Sequence, residues 1–155
     1  MSPAKNIQSY DQYLVIRNYD PTAGKLIILK RALITSWGEP GFHRFWQVWN
    51  PGVGYYLYRL YCWLGGNRHR LVSTMVVFIF CGFLHDLMVM LIFRRTFMAF
   101  TLAFLFFGVL ALINRAVGPF LHQDQWPRGL NMVSNAGCLA LSIYIAVQLQ
   151  MQVFQ

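Results

Sequence analysis

Residues 71–93 read LVSTMVVFIFCGFLHDLMVMLIF, a run whose apolar character is broken only by His85 and Asp86. Arg68, His69 and Arg70 bracket it on one side and Arg94 and Arg95 on the other. As a helix it is about 34 Å long, enough to cross a hydrocarbon core of roughly 30 Å, so the stretch predicts a transmembrane helix. Residues 96–113 follow without a charge and end at Asn114 and Arg115. With only the two arginines between them, the spans form a helical hairpin. A polar loop carrying Pro119, His122, Asp124, Pro127 and Arg128 leads to a third apolar stretch, 130–149, which contains Asn131, Ser134, Asn135, Ser142 and Gln148. Polar residues at that density predict a span packed against protein on one side.

Upstream, the apolar patches Leu26–Leu29 and Ala32–Ile34 surround Lys30 and Arg31, a length and charge pattern suited to a helix lying in the interface. Gly38, Pro40 and Gly41 then break the chain before Phe42–Trp49, and Pro51–Gly54 break it again before the Tyr-rich run Tyr55–Leu64. These two stretches are expected to be short helices or re-entrant pieces. Trp37, Trp46, Trp49, Tyr55, Tyr56, Tyr58, Tyr61 and Trp63 crowd into the same region, and amphipathic rings prefer the headgroup level, so an interfacial position is expected. The whole is an all-α, multi-pass transmembrane bundle in one domain, 1–155. Its parts are a polar N-terminus with an interfacial helix (1–41), an aromatic motif region (42–70) and spans at 71–93, 96–113 and 130–149.

Composition points the same way. Hydrophobic residues make up 57% and charged residues 12% of the chain, too apolar for an ordinary soluble domain and too aromatic for a disordered one. The net charge of +8 would suggest nucleic acid in a soluble protein, but here the cations flank apolar segments, as membrane lipids and the positive-inside bias select. No nucleic-acid partner is expected. Arg68, Arg70, Arg115 and Arg128 against Arg94 and Arg95 favour the first side of the hairpin as cytoplasmic. The segment Met1–Asp20, polar and dotted with Lys5, Asp11, Arg17 and Asp20, does not read as a secretory signal. Cys62, Cys81 and Cys138 have no metal-ligand spacing, and His43, His69, His85 and His122 are scattered, so neither a disulfide, a metal nor a soluble cofactor is expected.

An ionisable side chain within a span is a functional candidate, because leaving it in hydrocarbon costs on the order of 3 kcal/mol. His85 and Asp86 are such a pair. Two readings stand side by side: a histidine satisfied by a hydrogen bond with Asp86 paired to a loop arginine, or a working site. Consecutive helical residues point about 100° apart, so Asp86 is badly placed to orient the His85 imidazole. Gly82 leaves space on the adjoining surface either for a substrate or for a neighbouring helix. In Phe42-His43-Arg44-Phe45-Trp46-Gln47-Val48-Trp49-Asn50-Pro51, Trp46 and Asn50 share a helix face, and an aromatic run ending in Asn-Pro also reads as an interface anchor and helix stop.

Taken in order, Phe45-Trp46-x-x-Trp49-Asn50, Tyr56-Leu57-Tyr58, Leu64-Gly65-Gly66-Asn67-Arg68 and Cys81-Gly82-Phe83-Leu84-His85-Asp86 resemble the core of the membrane-bound O-acyltransferases. Residues 42–93 look most like the bacterial branch that includes alginate O-acetylases and teichoic acid D-alanyl transfer proteins. The resemblance implies acyl transfer from a thioester, acyl-CoA or an acyl carrier, to a hydroxyl of a polysaccharide or lipid, in a multi-pass protein of the bacterial inner (cytoplasmic) membrane. His85 falls on the family's catalytic histidine and Asn50 on its second polar position. Trp46, Trp49 and Arg68 fall on the motif positions taken as substrate-binding, and Arg68 with Arg70 is open to two readings, a donor phosphate site or positive-inside charge. Family members have many more spans around a tunnel. Three spans therefore imply a homo-oligomer or partner membrane proteins, and leave open a structural or accessory subunit without catalysis. A small transporter using His85 and Asp86 is the third possibility.

Overall fold

The computed structural model describes residues 7, 9–94 and 98–153, the last of these by its backbone. Lys5, Arg95 and Thr96 lie outside the described residues. Every regular element among the described residues is helical. The helices are α1 (Tyr10–Ile16), α2 (Lys25–Trp37), α3 (Phe42–Val48), α4 (Pro51–Trp63), α5 (Arg70–Phe93), α6 (Ala99–Val117) and α7 (Arg128–Val153), with 3-10 turns at Gly66–His69 and Gln123–Gln125. Three helical stretches are long and apolar enough to cross a membrane: Gly66–Phe93, Ala99–Val117 and Arg128–Gln152. The second span thus ends later than residue 113, and the third extends beyond 130–149 at both ends, because polar end residues continue the helix once neighbouring elements bond them.

The α5–α6 hairpin is set by two glycines facing opposite ways. A Cβ at Gly82 of α5 would lie 2.7 Å from the Phe100 carbonyl oxygen and 2.8 Å from Thr101 Cα, so the α6 backbone fills the space a side chain would need. At the other level a Cβ on Gly108 of α6 would meet Met75 Sδ at 3.0 Å and Phe78 Cβ at 3.2 Å. Of the two uses open to Gly82, close helix packing is the one observed.

Asp86 sits one turn beyond Gly82 and is fully buried. Its Oδ1 accepts from the Phe100 N–H at 2.9 Å and its Oδ2 from the Thr101 N–H at 2.6 Å. The expectation that Asp86 pairs with a loop arginine is therefore corrected. The first turn of α6 has no side-chain cap of its own, and the carboxylate of the neighbouring helix satisfies its free N–H groups and meets the positive end of its dipole.

On α7, Asn131, Asn135, Ser142 and Ala146 are buried, which puts them on one helical stripe as expected for a span packed on one side. Asn135 Nδ2 donates to the Trp37 and Glu39 carbonyls, both at 3.0 Å, and Arg128 donates to the Ile34 carbonyl at 3.1 Å. These bonds hold the C-terminal end of α2 against the start of α7. Buried Ile28, Ala32 and Ser36 make the inner face of α2, while Leu26, Ile27 and Ile34 point outward.

The two stretches after Gly38 are both short helices, α3 and α4, but Pro51–Gly54, expected as a break, is the first turn of α4, because Pro51 takes the first helical position after the Asn50 cap. Helix α3 drives its aromatic face into the bundle. Phe42 and Phe45, both fully buried, join Ala103, Phe107 and Ala111 of α6 and Ala146 of α7 in one core, with Trp37, Trp46 and Trp49 packed around it. Each of these tryptophans is half-buried and packs edge-on or stacked against another ring of this cluster. Tyr56 and Trp63 are the rings in this region that remain largely exposed.

Candidate functional site

A cleft of about 1030 Å³ runs from α1 and α4 across α3 to the α5–α6 hairpin. His85, Asn50, Trp46, Trp49 and Arg68, scattered over 40 residues of sequence, all line it. The hairpin brings α5 beside α6, α3 packs on α6, and the Asn50-Pro51 joint swings α4 back toward α5.

His85 stands on the exposed side of α5, at the apolar end of the cleft. Its ring stacks on Phe104 at 5.2 Å and lies 5.6 Å from Phe100. Its Nδ1 lies 2.7 Å from the Cys81 carbonyl, one turn earlier. A carbonyl only accepts, so Nδ1 carries the proton and, in the neutral ring, Nε2 carries the lone pair. No hydrogen bond joins His85 to Asp86 or to Asn50 among the described residues. Asp86 is accounted for as the cap of α6, with both oxygens engaged.

Asn50 begins α4. Its Oδ1 accepts from the Val53 N–H at 3.2 Å and Pro51 occupies the first helical position, so the Asn-Pro pair that ends α3 also starts the next helix. The side-chain oxygen is thereby committed, and the amide NH2 is the part of Asn50 left to meet a ligand. Trp46 packs against Phe107 at 4.9 Å, Phe78 at 5.5 Å and Phe104 at 5.6 Å, and its Nε1 is buried without an acceptor. Because Phe104 touches both Trp46 and His85, one ring links the aromatic core to the imidazole. Trp49 packs on Phe45 at 5.0 Å, while Arg68 is exposed on the 3-10 turn.

Three cleft residues, His43, Tyr13 and Arg17, carry no role in the sequence reading. His43, set aside as one of several scattered histidines, lines the cleft, and its Nδ1–H donates to Asn114 Oδ1 at 3.0 Å. Asn114 Nδ2 in turn donates to Gln123 Oε1 at 3.1 Å. The signal was absent because Asn114 and Gln123 are remote in sequence. Tyr13 and Arg17 come from α1, in a segment too polar to attract notice; Arg17 donates to Gln47 Oε1 at 3.0 Å and lies over the Tyr13 ring. Burial, with a hydrogen bond to Cys62, pushes the Tyr58 hydroxyl up to about 12, so it stays protonated at neutral pH.

Burial holds the His43 imidazole below its usual value, against the smaller opposing effect of the Asn114 hydrogen bond. A histidine with a depressed folded pKa binds protons more readily when unfolded, so its contribution to stability is complete above the unfolded value near 6.5 and is lost as pH falls below it. Thermal unfolding in detergent is expected to show wild type losing stability between pH 7.5 and 5.5 more steeply than His43→Gln. Parallel curves would remove His43 as the source.

No family model, curated protein or solved structure matches this chain.

Proposed function

We propose that the chain is a membrane-embedded O-acyltransferase, or the catalytic subunit of one, in which His85 is the general base. The observation that carries this reading is the His85 Nδ1–H bond to the Cys81 carbonyl, which leaves Nε2 as a proton acceptor at the wall of a cleft shared with Asn50, Trp46, Trp49 and Arg68. The resemblance of residues 42–93 to the membrane-bound O-acyltransferases supports it. In the reaction, Nε2 takes the proton of an acceptor hydroxyl as its oxygen attacks the thioester carbonyl. The C–S bond breaks, an ester forms, and the imidazolium returns the proton to the departing thiolate. The Asn50 NH2 is assigned to the carbonyl oxygen as negative charge develops there. The donor is an acyl-CoA or carrier thioester, the acceptor a polysaccharide or lipid hydroxyl, and the setting the bacterial cytoplasmic membrane.

The test is acyl transfer in native membranes from labelled short acyl-CoA donors to the cell's own acceptors, with the chain present or deleted. Label incorporated only when the chain is present supports the reading. Equal incorporation across every donor tried overturns it.

A second reading, a non-catalytic subunit of a larger membrane complex, is favoured by one observation: only 11% of the apolar window of α5 is buried within the chain. A surface so bare takes lipid or partner helices. On that reading, polar replacement of exposed α5 residues such as Leu91 and Ile92 disrupts assembly and His85→Ala has little effect, as pull-down of the complex would show.

A further inference from the structure

The arginines at one end of the cleft have no carboxylate to answer them. Arg59, Arg68 and Arg115 line it, and no Asp or Glu does so among the described residues. Arg115, on the last turn of α6, is half-buried, and the ionisable groups within its electrostatic reach are Arg70, Tyr61 and His43. Arg70, on the first turn of α5, has a buried Nε with no hydrogen-bond partner. The α6 dipole favours a cation where Arg115 stands. Two guanidinium groups within electrostatic reach of each other, one with an orphaned buried donor, and no acidic residue lining the cleft among the described residues call for an anion with several acceptor oxygens.

Both arginines lie at the end of the hairpin opposite the Arg94 turn, where spanning helices leave the hydrocarbon and meet phosphate headgroups. We infer that Arg70 and Arg115, with Arg68 and Arg59 at the mouth, hold the phosphate of a membrane phospholipid. This site stands about 22 Å along α5 from His85, at 1.5 Å per residue, and does not depend on acyl transfer.

The test uses the full chain purified in a maltoside detergent and follows thermal unfolding during titration with dioctanoyl phosphatidylglycerol, dioctanoylglycerol or inorganic phosphate. Saturable stabilisation by phosphatidylglycerol alone is expected, with affinity falling roughly tenfold or more in Arg70→Gln/Arg115→Gln, and unchanged in Arg31→Gln, an exposed arginine outside the cleft. Should the double variant fail to fold, Arg70→Lys and Arg115→Lys keep the charge, lose the planar fork and are expected to weaken binding individually. Equal stabilisation by dioctanoylglycerol, or undiminished affinity in the arginine variants, overturns the inference. So does inorganic phosphate matching the lipid at equal concentration, which would make this a site for free phosphate.

Discussion

Asp86→Ala is expected to destabilise the protein by about 3 kcal/mol or more, because hydrogen bonds to a charged group contribute about 1.5–3 kcal/mol each and two are lost. The Phe100 and Thr101 N–H groups sit where α6 starts inside an apolar bundle, so water cannot readily replace the carboxylate. Asp86→Asn keeps one acceptor oxygen and is expected to fall between alanine and wild type. Thermal or denaturant unfolding in detergent measures both. An alanine variant within about 0.5 kcal/mol of wild type, the range of an ordinary surface substitution, would contradict the cap.

Gly82→Ala is the second large effect. The added methyl would overlap the α6 backbone at Phe100 and Thr101 as well as Phe104 Cβ at 2.8 Å, and backbone cannot step aside as a flexible side chain does. Overpacking of this kind costs about 1–3 kcal/mol. Splaying the hairpin at Gly82 also draws the first turn of α6 away from Asp86, so the two sites are coupled. The double variant Gly82→Ala/Asp86→Ala is therefore expected to be less destabilised than the sum of the single ones, and a strictly additive cycle would show that the glycine contact and the cap are independent.

These two residues show where the sequence was informative and where it was not. A run of apolar residues longer than a bilayer is visible in one dimension, so the three spans were legible, as was the polar stripe of α7, whereas the expected break at Pro51–Gly54 is the first turn of α4, a position proline suits as well as a stop. Gly82 was legible as a gap but not as the gap of a particular helix. Asp86 was read as an ion-pair partner because its acceptors are backbone N–H groups 14 and 15 residues away, and backbone donors carry no sequence signature. For Trp46 and Trp49 the partners Phe107 and Phe45 were not legible, because tryptophan suits both an interface and a core and its packing partners arrive through tertiary contacts. The five candidate site residues His85, Asn50, Trp46, Trp49 and Arg68 share one cleft, whereas His43 and Arg115 enter it through tertiary contacts that spacing along the chain does not encode.

The most direct test of the central claim, that His85 is a catalytic base, compares acyl transfer by wild type and His85→Gln at matched amounts of folded protein. Glutamine keeps a polar side chain on the exposed face of α5 but has no basic nitrogen. Loss of a general base is expected to lower the transfer rate by about a hundredfold or more while unfolding temperature stays close to wild type. Wild-type transfer by His85→Gln would contradict the claim.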